Sequence, residues 1–334
     1  MENFIANIAL TFSGLLGFLV CRHIFLSRRR GEFLACPFGR TSCEAVQASA
    51  HARFLSVRLE VLGMIYFAFI FLVNSALLLL PFVTLPAIFG ISALSVIIAA
   101  AAFLFALYLL FIQAVSLGEF CSWCLASLAL CVFIFFYTFA FAGPALIFYL
   151  AEYRQIVTGA HLLGLALGLG GATIADVFFF RFIKNRKISY SETGVLHTLS
   201  QVIWLGLGLM VASGLGLYLP AAEALNGSGK FLAKMIVVAV IIANGLFLNL
   251  YLTPRLVRLH FSEKHLAAQS HLNYGGRIAF FSGAVSLASW YTAFALGAFH
   301  YLPFGFATLI FMYLLILLVA AVGSQLMYGR IAAA

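Results

Sequence analysis

Nine stretches of this chain, each about twenty residues or longer, carry almost no charge, and that property restricts what the chain can fold into. A hydrocarbon layer of about 30 Å is crossed by about 20 apolar residues in a helix, because every backbone N–H and C=O must there find its partner inside the segment. The stretches run approximately over 4–26, 59–82, 86–115, 122–142, 158–182, 198–219, 231–253, 277–299 and 303–326. With 64% hydrophobic and only 9% charged residues among 334, a soluble domain, at about 25% charged, is excluded. The expected fold is all-α: a polytopic transmembrane helical protein of about nine helices. Glycines inside several spans agree with this, since small residues let helix backbones approach closely in lipid.

The segment 143–157, with Pro144, Glu152 and Arg154, interrupts the apolar pattern and divides four helices from five. The expected organisation is a four-helix domain over 1–150 and a five-helix membrane domain over 151–334. The first span has no basic start, and no small-residue cleavage pattern precedes Arg28, Arg29 and Arg30, so it reads as a transmembrane helix and not as a signal peptide. No period of 20–50 residues repeats, and no phosphate-loop, dinucleotide-binding or zinc-protease pattern is present. Nucleic-acid binding has no support in the sequence.

The net charge of +9 is distributed unevenly. Alternation of nine helices gathers residues 22–58, 181–187, 255–277 and the C-terminal tail on one face, which holds 16 of the 19 Lys and Arg. Arg154, Lys230 and Lys234 are left for the other. The positive-inside rule assigns the basic face to the cytoplasm.

Six cysteines fall into three classes. Cys21 and Cys131 lie within apolar spans and read as small packing residues. Cys36 and Cys43 stand in the polar segment CPFGRTSC between the first two spans, and Cys121 and Cys124 form CSWC at the start of the fourth. Helix parity puts both pairs on one face. A C-x-x-C at a helix start has a chemical use: free N–H groups and the helix dipole favour a thiolate, and the spacing permits a disulfide. A second pair on a loop can exchange with it through thiolate attack, relaying electrons to or from a soluble protein. Four thiolates binding a structural zinc ion is the less favoured alternative, because loop cysteines so spaced and a membrane-embedded C-x-x-C are unusual for such sites.

The run CPFGRTSCEAVQASAHARFLSVRLEVLGMIYF from Cys36, followed by FCSWCLASL, resembles the vitamin K epoxide reductase family in its prokaryotic disulfide-forming branch. The shared pattern is two cysteines with six residues between them, Ser49 six beyond the second, Leu62, Gly63 and Tyr66 early in the second helix, and C-x-x-C opening the fourth. The resemblance covers approximately residues 1–150 and implies a four-helix bundle around a quinone, ubiquinone or menaquinone. It also implies a relay: Cys124 faces the quinone, Cys121 exchanges with the loop, Cys43 attacks Cys121, and Cys36 takes electrons from a thioredoxin-fold thiol protein. The family's quinone is more oxidising than a protein dithiol, so disulfide synthesis runs downhill. Ser49 matches a family Ser proposed to act at the quinone or to hold the loop, a local hydrogen bond being the plainer role. Tyr66, Phe111 and Trp123 are expected as quinone-wall residues. Glu60 can tune the thiols, although a carboxylate at a helix start more often caps or snorkels. Leu128 stands where the animal enzymes have a Tyr, and Asn74 is the nearest candidate for the family's helix-two Asn, which speaks against epoxide reduction.

The five later spans carry His161, Asp176, His197, Lys234, Asn244 and Asn249. Ionisable groups within membrane segments are functional candidates by default. AHLLGLALGLGG and KFLAKMIVVAVI are distantly similar to a family of small haem-binding membrane proteins linked to protoporphyrinogen oxidation, which implies His161 and Lys234 as haem-site residues. Parity sets His197 on the opposite face from His161. His260, His265, His271 and His300 sit in or beside loops and are not spaced as a metal site, so no metal is expected.

The expected function is a membrane oxidoreductase that makes disulfides by passing dithiol electrons to a quinone. Quinone or quinone-epoxide reduction as the main role is the rival with the same fold, and a non-enzymatic haem-binding or transport protein is the rival of another class. The resemblance puts the cysteine face outside the cytoplasm, where disulfides persist, against the charge bias. The family placement is preferred.

Overall fold

The computed structural model describes residues 2–31, 43–49, 52–54, 57–79, 85–183, 190–252, 268–299 and 301–333. Nine helices among them are long and apolar enough to cross a membrane, and the chain is an all-α multi-pass membrane protein. The only strands among the described residues are the two-residue pair β1 (Arg53–Phe54) and β2 (Val57–Arg58), antiparallel with Arg53 opposite Arg58. Large apolar side chains such as Ile65, Leu104 and Phe311 point outward, the reverse of a soluble surface and the arrangement lipid requires.

Two compact units divide the chain, Met1–Glu152 and Tyr153–Ala334. In the first, α1 (Glu2–Arg30) packs along α3 (Leu59–Leu79), and α4 (Leu85–Phe111) along α5 (Ser122–Glu152). The short α2 (Cys43–Ala48) lies between α1 and the hairpin in sequence. Close approach of α1 and α3 depends on two glycines: a Cβ on Gly14 would stand 2.7 Å from the backbone nitrogen of Phe71, and one on Gly17 would enter the Phe67 ring. Phe67 and Ile70 are thereby fully buried, with Cys21, Cys131 and Ile134 in the same core.

One expectation fails at Pro144, which does not end the fourth span. Helix α5 runs through it to Glu152, and the break falls at Tyr153. Proline removes one donor and frees one carbonyl, but in a membrane helix neighbouring groups and local adjustment re-satisfy the backbone, so interruption is not forced.

The second unit comprises α6 (Arg154–Ile183), α7 (Tyr190–Tyr218), the one-turn α8 (Ala222–Asn226), α9 (Gly229–Leu246), α10 (Ala268–Ala298) and α11 (Phe306–Ala333). Helices α6 and α7 meet backbone to backbone, since a Cβ on Gly206 would lie 2.4 Å from the nitrogen of Gly168. The Trp290 ring of α10 covers Gly168 and is the largest fully buried side chain here, packed with Val237 and Tyr313. Ser228 caps α9, its hydroxyl accepting from the Phe231 N–H at 3.3 Å.

Candidate redox site in the first unit

Before α5 begins, α4 widens into a π-helical turn over Ile112–Leu117, ended by Gly118 in the left-handed region at φ 65°. A turn with i→i+5 bonding holds an extra residue and changes which side chains face inward. Here Ile112 and Gln113 are buried, and the Gln113 Oε1 accepts from the Cys121 N–H at 2.9 Å. The polar side chain thus fixes the start of C-x-x-C from eight residues upstream.

Cys121 occupies the cap position of α5. Its carbonyl takes the Leu125 N–H at 2.9 Å, and its sulfur takes the Cys124 N–H at 3.3 Å, the place usually filled by a Ser or Asp oxygen. The Cys124 thiol also donates to that sulfur, and this contact, with the backbone N–H groups of Cys124 and Trp123, draws the Cys121 thiol down from its ordinary value to about 7 against the opposing effect of burial. The shift favours the thiolate, the form that attacks a disulfide.

Cys43 opens α2 and is itself disulfide-bonded, whereas Cys121 and Cys124 are free thiols. Cys43 and Cys121 are both fully buried and share one cluster with Ile24, against which Val20, Val46, Trp123 and Cys124 pack. Cys36 lies outside the described residues, as do His260, His265 and His300 and the side chain of His271.

On the other side of Cys124 a cavity of about 440 Å³ opens within the bundle. Its wall is mostly apolar, supplied by residues such as Ile98, Ala102, Phe105, Leu109 and Leu128. Among the lining polar groups, the Tyr66 hydroxyl is buried and has no hydrogen-bond partner. An apolar slot of this size with an unused donor fits a flat ring bearing a carbonyl acceptor, which is the chemistry of a quinone. Ser49 also lines the cavity, and its hydroxyl donates to the Val46 carbonyl at 2.7 Å, holding the end of α2.

Two expected wall residues stand elsewhere. Phe111, 59% exposed at the end of α4, faces outward, and Trp123 packs in the Cys43 cluster with its ring 4.9 Å from that of His23. Neither is among the residues lining the cavity. Asn74 is buried and donates to the Ile70 carbonyl of its own helix. Glu60 neither caps nor snorkels: its side chain is 5% exposed, lines the cavity, and faces Arg28 with Nη1 to Oε1 at 3.6 Å. Cys21 and Cys131, buried as packing residues, line the same cavity. Sequence reasoning missed Gln113 and Arg28. The signal for Gln113 was one amide in the otherwise apolar LFIQAV run, eight residues before Cys121.

In the second unit His161 is half-buried, hydrogen-bonded through Nδ1 to the Ser213 hydroxyl at 3.1 Å, with Lys234 within electrostatic range. Asp176 faces Gly283, and Asn244 makes a double hydrogen bond with Ser282. His197 is exposed on α7. No cluster of three metal-ligating side chains occurs among the described residues.

Residues 5–139 match the vitamin K epoxide reductase family, whose members are quinone-linked oxidoreductases. No curated protein and no solved structure matches the chain significantly.

Proposed function

We propose that this chain, a membrane oxidoreductase belonging through its N-terminal unit to the vitamin K epoxide reductase family, makes disulfides by relaying electrons from a thioredoxin-fold dithiol protein through two cysteine pairs to a membrane quinone. One observation carries the reading: Cys124 borders the apolar cavity while its partner Cys121 is packed against Cys43. In this reading Cys124 serves the quinone and Cys121 the loop pair.

In this scheme the partner dithiol reduces the loop pair at Cys36. The Cys43 thiolate then attacks Cys121 of an oxidised helix pair, an S–S bond forms between them, and Cys124 leaves as thiolate beside the cavity and takes up one of the two protons that the dithiol sheds on oxidation. Cys36 displaces Cys121 from the mixed disulfide, so the loop pair is oxidised and the helix pair reduced. A bound quinone supplies a two-electron, two-proton acceptor. Tyr66 orients it by donating to a ring carbonyl, and the apolar wall excludes water. Closing the Cys121–Cys124 bond releases the electrons and resets the site.

The test uses purified full-length protein, a reduced thioredoxin-fold dithiol and a soluble quinone. Turnover is expected in wild type and collapses in Cys36→Ala, Cys43→Ala, Cys121→Ala and Cys124→Ala, while a small dithiol restores it in the two loop variants only. Absence of turnover in wild type with quinone demonstrably bound refutes the reading.

A second reading concerns the second unit, where the proximity of His161 and Lys234 within one bundle favours a haem or other anionic ligand. Visible absorbance of the purified protein that disappears in His161→Ala supports it, and a colourless preparation ends it.

A further inference from the structure

The relay leaves one buried ionisable pair without a role. Glu60 and Arg28 join α3 to α1 at the rim of the cavity, yet neither the Glu60 Oε1 nor the Arg28 Nη1 makes a hydrogen bond, and both atoms are buried. A buried ion pair costs more in desolvation than a packed apolar pair of similar size and is poor evidence of stabilisation, so a pair lacking hydrogen bonds is an expensive strut. The Glu60 charge is also within electrostatic range of the Cys124 and Cys21 thiols. Titratable and charged groups facing it, among the described residues, are Arg28 and Cys21 from α1, Cys124 and Cys131 from α5, and Tyr66 from its own helix. Helices α2 and α4 and the π turn contribute only neutral groups to the described wall, Gln47, Ser49 and Gln113 among them.

We propose that Glu60 is the proton carrier of this site, moving the Cys124 proton to the quinone and then readmitting a second proton from water, with Arg28 as its resting counter-ion. The inference rests on the quinone-reducing reading above. With Cys121 as the thiolate that the Cys124 N–H at 3.3 Å from its sulfur favours, the reduced pair holds one proton, on Cys124. Forming the Cys121–Cys124 bond removes two electrons, and reducing a quinone to hydroquinone takes up those electrons and two protons. Glu60 accepts the Cys124 proton as that thiol becomes a thiolate and delivers it to one ring oxygen. The second proton returns from water through the same carboxylate to the other oxygen. Arg28, paired with that carboxylate and with its side chain 26% exposed against 5% for Glu60, is the member of the pair that reaches solvent.

The experiment separates the two half-reactions in the full-length protein, with ubiquinone-1 as acceptor. Pre-reduced enzyme is mixed with the quinone in single turnover across pH 5.5 to 8.5, and oxidised enzyme is separately mixed with a reduced dithiol. In Glu60→Gln the quinone half-reaction is expected to fall about 100-fold and lose its pH dependence, while the dithiol half-reaction stays at the wild-type rate. Glu60→Asp restores part of the rate, and formate restores part of it to Glu60→Ala. Should Glu60→Gln fail to fold, Arg28→Gln/Glu60→Gln, which strands no buried charge, is measured in its place. A quinone half-reaction with the wild-type rate and pH profile in either variant overturns the inference, as does an equal fall of both half-reactions without rescue by formate. A wild-type enzyme that reduces no quinone refutes the functional reading itself, a result distinct from either.

Discussion

Both units are helical bundles drawn together by glycine, but they treat their polar side chains in opposite ways. In the second unit three pairs of these groups satisfy one another across helices: Asn244 with Ser282, Ser289 with Tyr313 at 2.8 Å, Thr173 with Tyr291 at 3.2 Å. The buried side-chain atoms without a hydrogen bond, among the described residues, all lie in the first unit, on Thr11, Arg28, Gln47, Glu60, Tyr66 and Thr138. Four of those six residues line the one cavity that Cys124 borders. An unsatisfied buried group costs about 1–3 kcal/mol, and that cost is concentrated around a single void. The contrast separates polar groups that hold helices together from polar groups left unpartnered around a cavity, as the proposed quinone site requires.

The largest effect that would test this contrast is on turnover. Cys124→Ala is expected to lower quinone reduction at least about 1,000-fold, as loss of an essential redox sulfur does, whereas Ser282→Ala in the second unit leaves the rate unchanged and lowers only thermal stability. Equal rate losses would erase the distinction. Next comes the helix seam: Gly206→Ala forces α6 and α7 apart and destabilises the second unit by about 1–3 kcal/mol, seen as earlier loss of helicity on heating, with the quinone half-reaction retained in the folded fraction.

Smaller is the paired comparison of two tyrosines. Tyr66→Phe removes a buried donor that has no protein partner, so the melting temperature of the ligand-free protein rises while the quinone KM rises about fivefold to tenfold, the value of one neutral hydrogen bond of about 1 kcal/mol. Tyr313→Phe breaks an existing bond to Ser289 and gives the opposite result, a lower melting temperature with unchanged KM. The smallest effect is on pH dependence. Alkylation of reduced Cys121 depends on thiolate, which forms as pH rises through about 7, below the ordinary thiol range near 8.5. Reactivity is thus present above about 7 and lost as pH falls through it. In Cys124→Ala, which removes the principal donor to the sulfur, the midpoint of the alkylation profile moves upward.

The sequence carried the spans plainly, because hydropathy over twenty residues is a sum that single substitutions barely alter. It also carried the C-x-x-C at a helix start, whose meaning depends on local spacing alone. What it concealed was azimuth. In lipid a helix is apolar on every side, so the periodicity that tells inside from outside in a soluble protein is faint. Phe111 and Tyr66 look alike in the chain, yet one faces outward and the other lines the cavity. Glu60 read either as a group that tunes the thiols or, more often, as a capping or snorkelling carboxylate; its partner, Arg28, lies on another helix, and only their packing brings the two together. Pro144 misled for a related reason: helix-ending rules learned in water overstate a proline's cost where no water competes for the backbone.

The sulfur cap on α5 has a consequence for motion. A thiolate at Cys121 holds the Cys124 N–H and so orders the first turn of the helix; a sulfur committed to a disulfide has lost the charge that made it a good acceptor. Reduction fastens that turn and oxidation loosens it, so backbone amide exchange over Trp123–Leu125 is slower in the reduced protein. In the proposed relay each cycle then tightens and relaxes one end of a 31-residue helix, and the redox state of two atoms is expressed as the rigidity of the backbone that carries them.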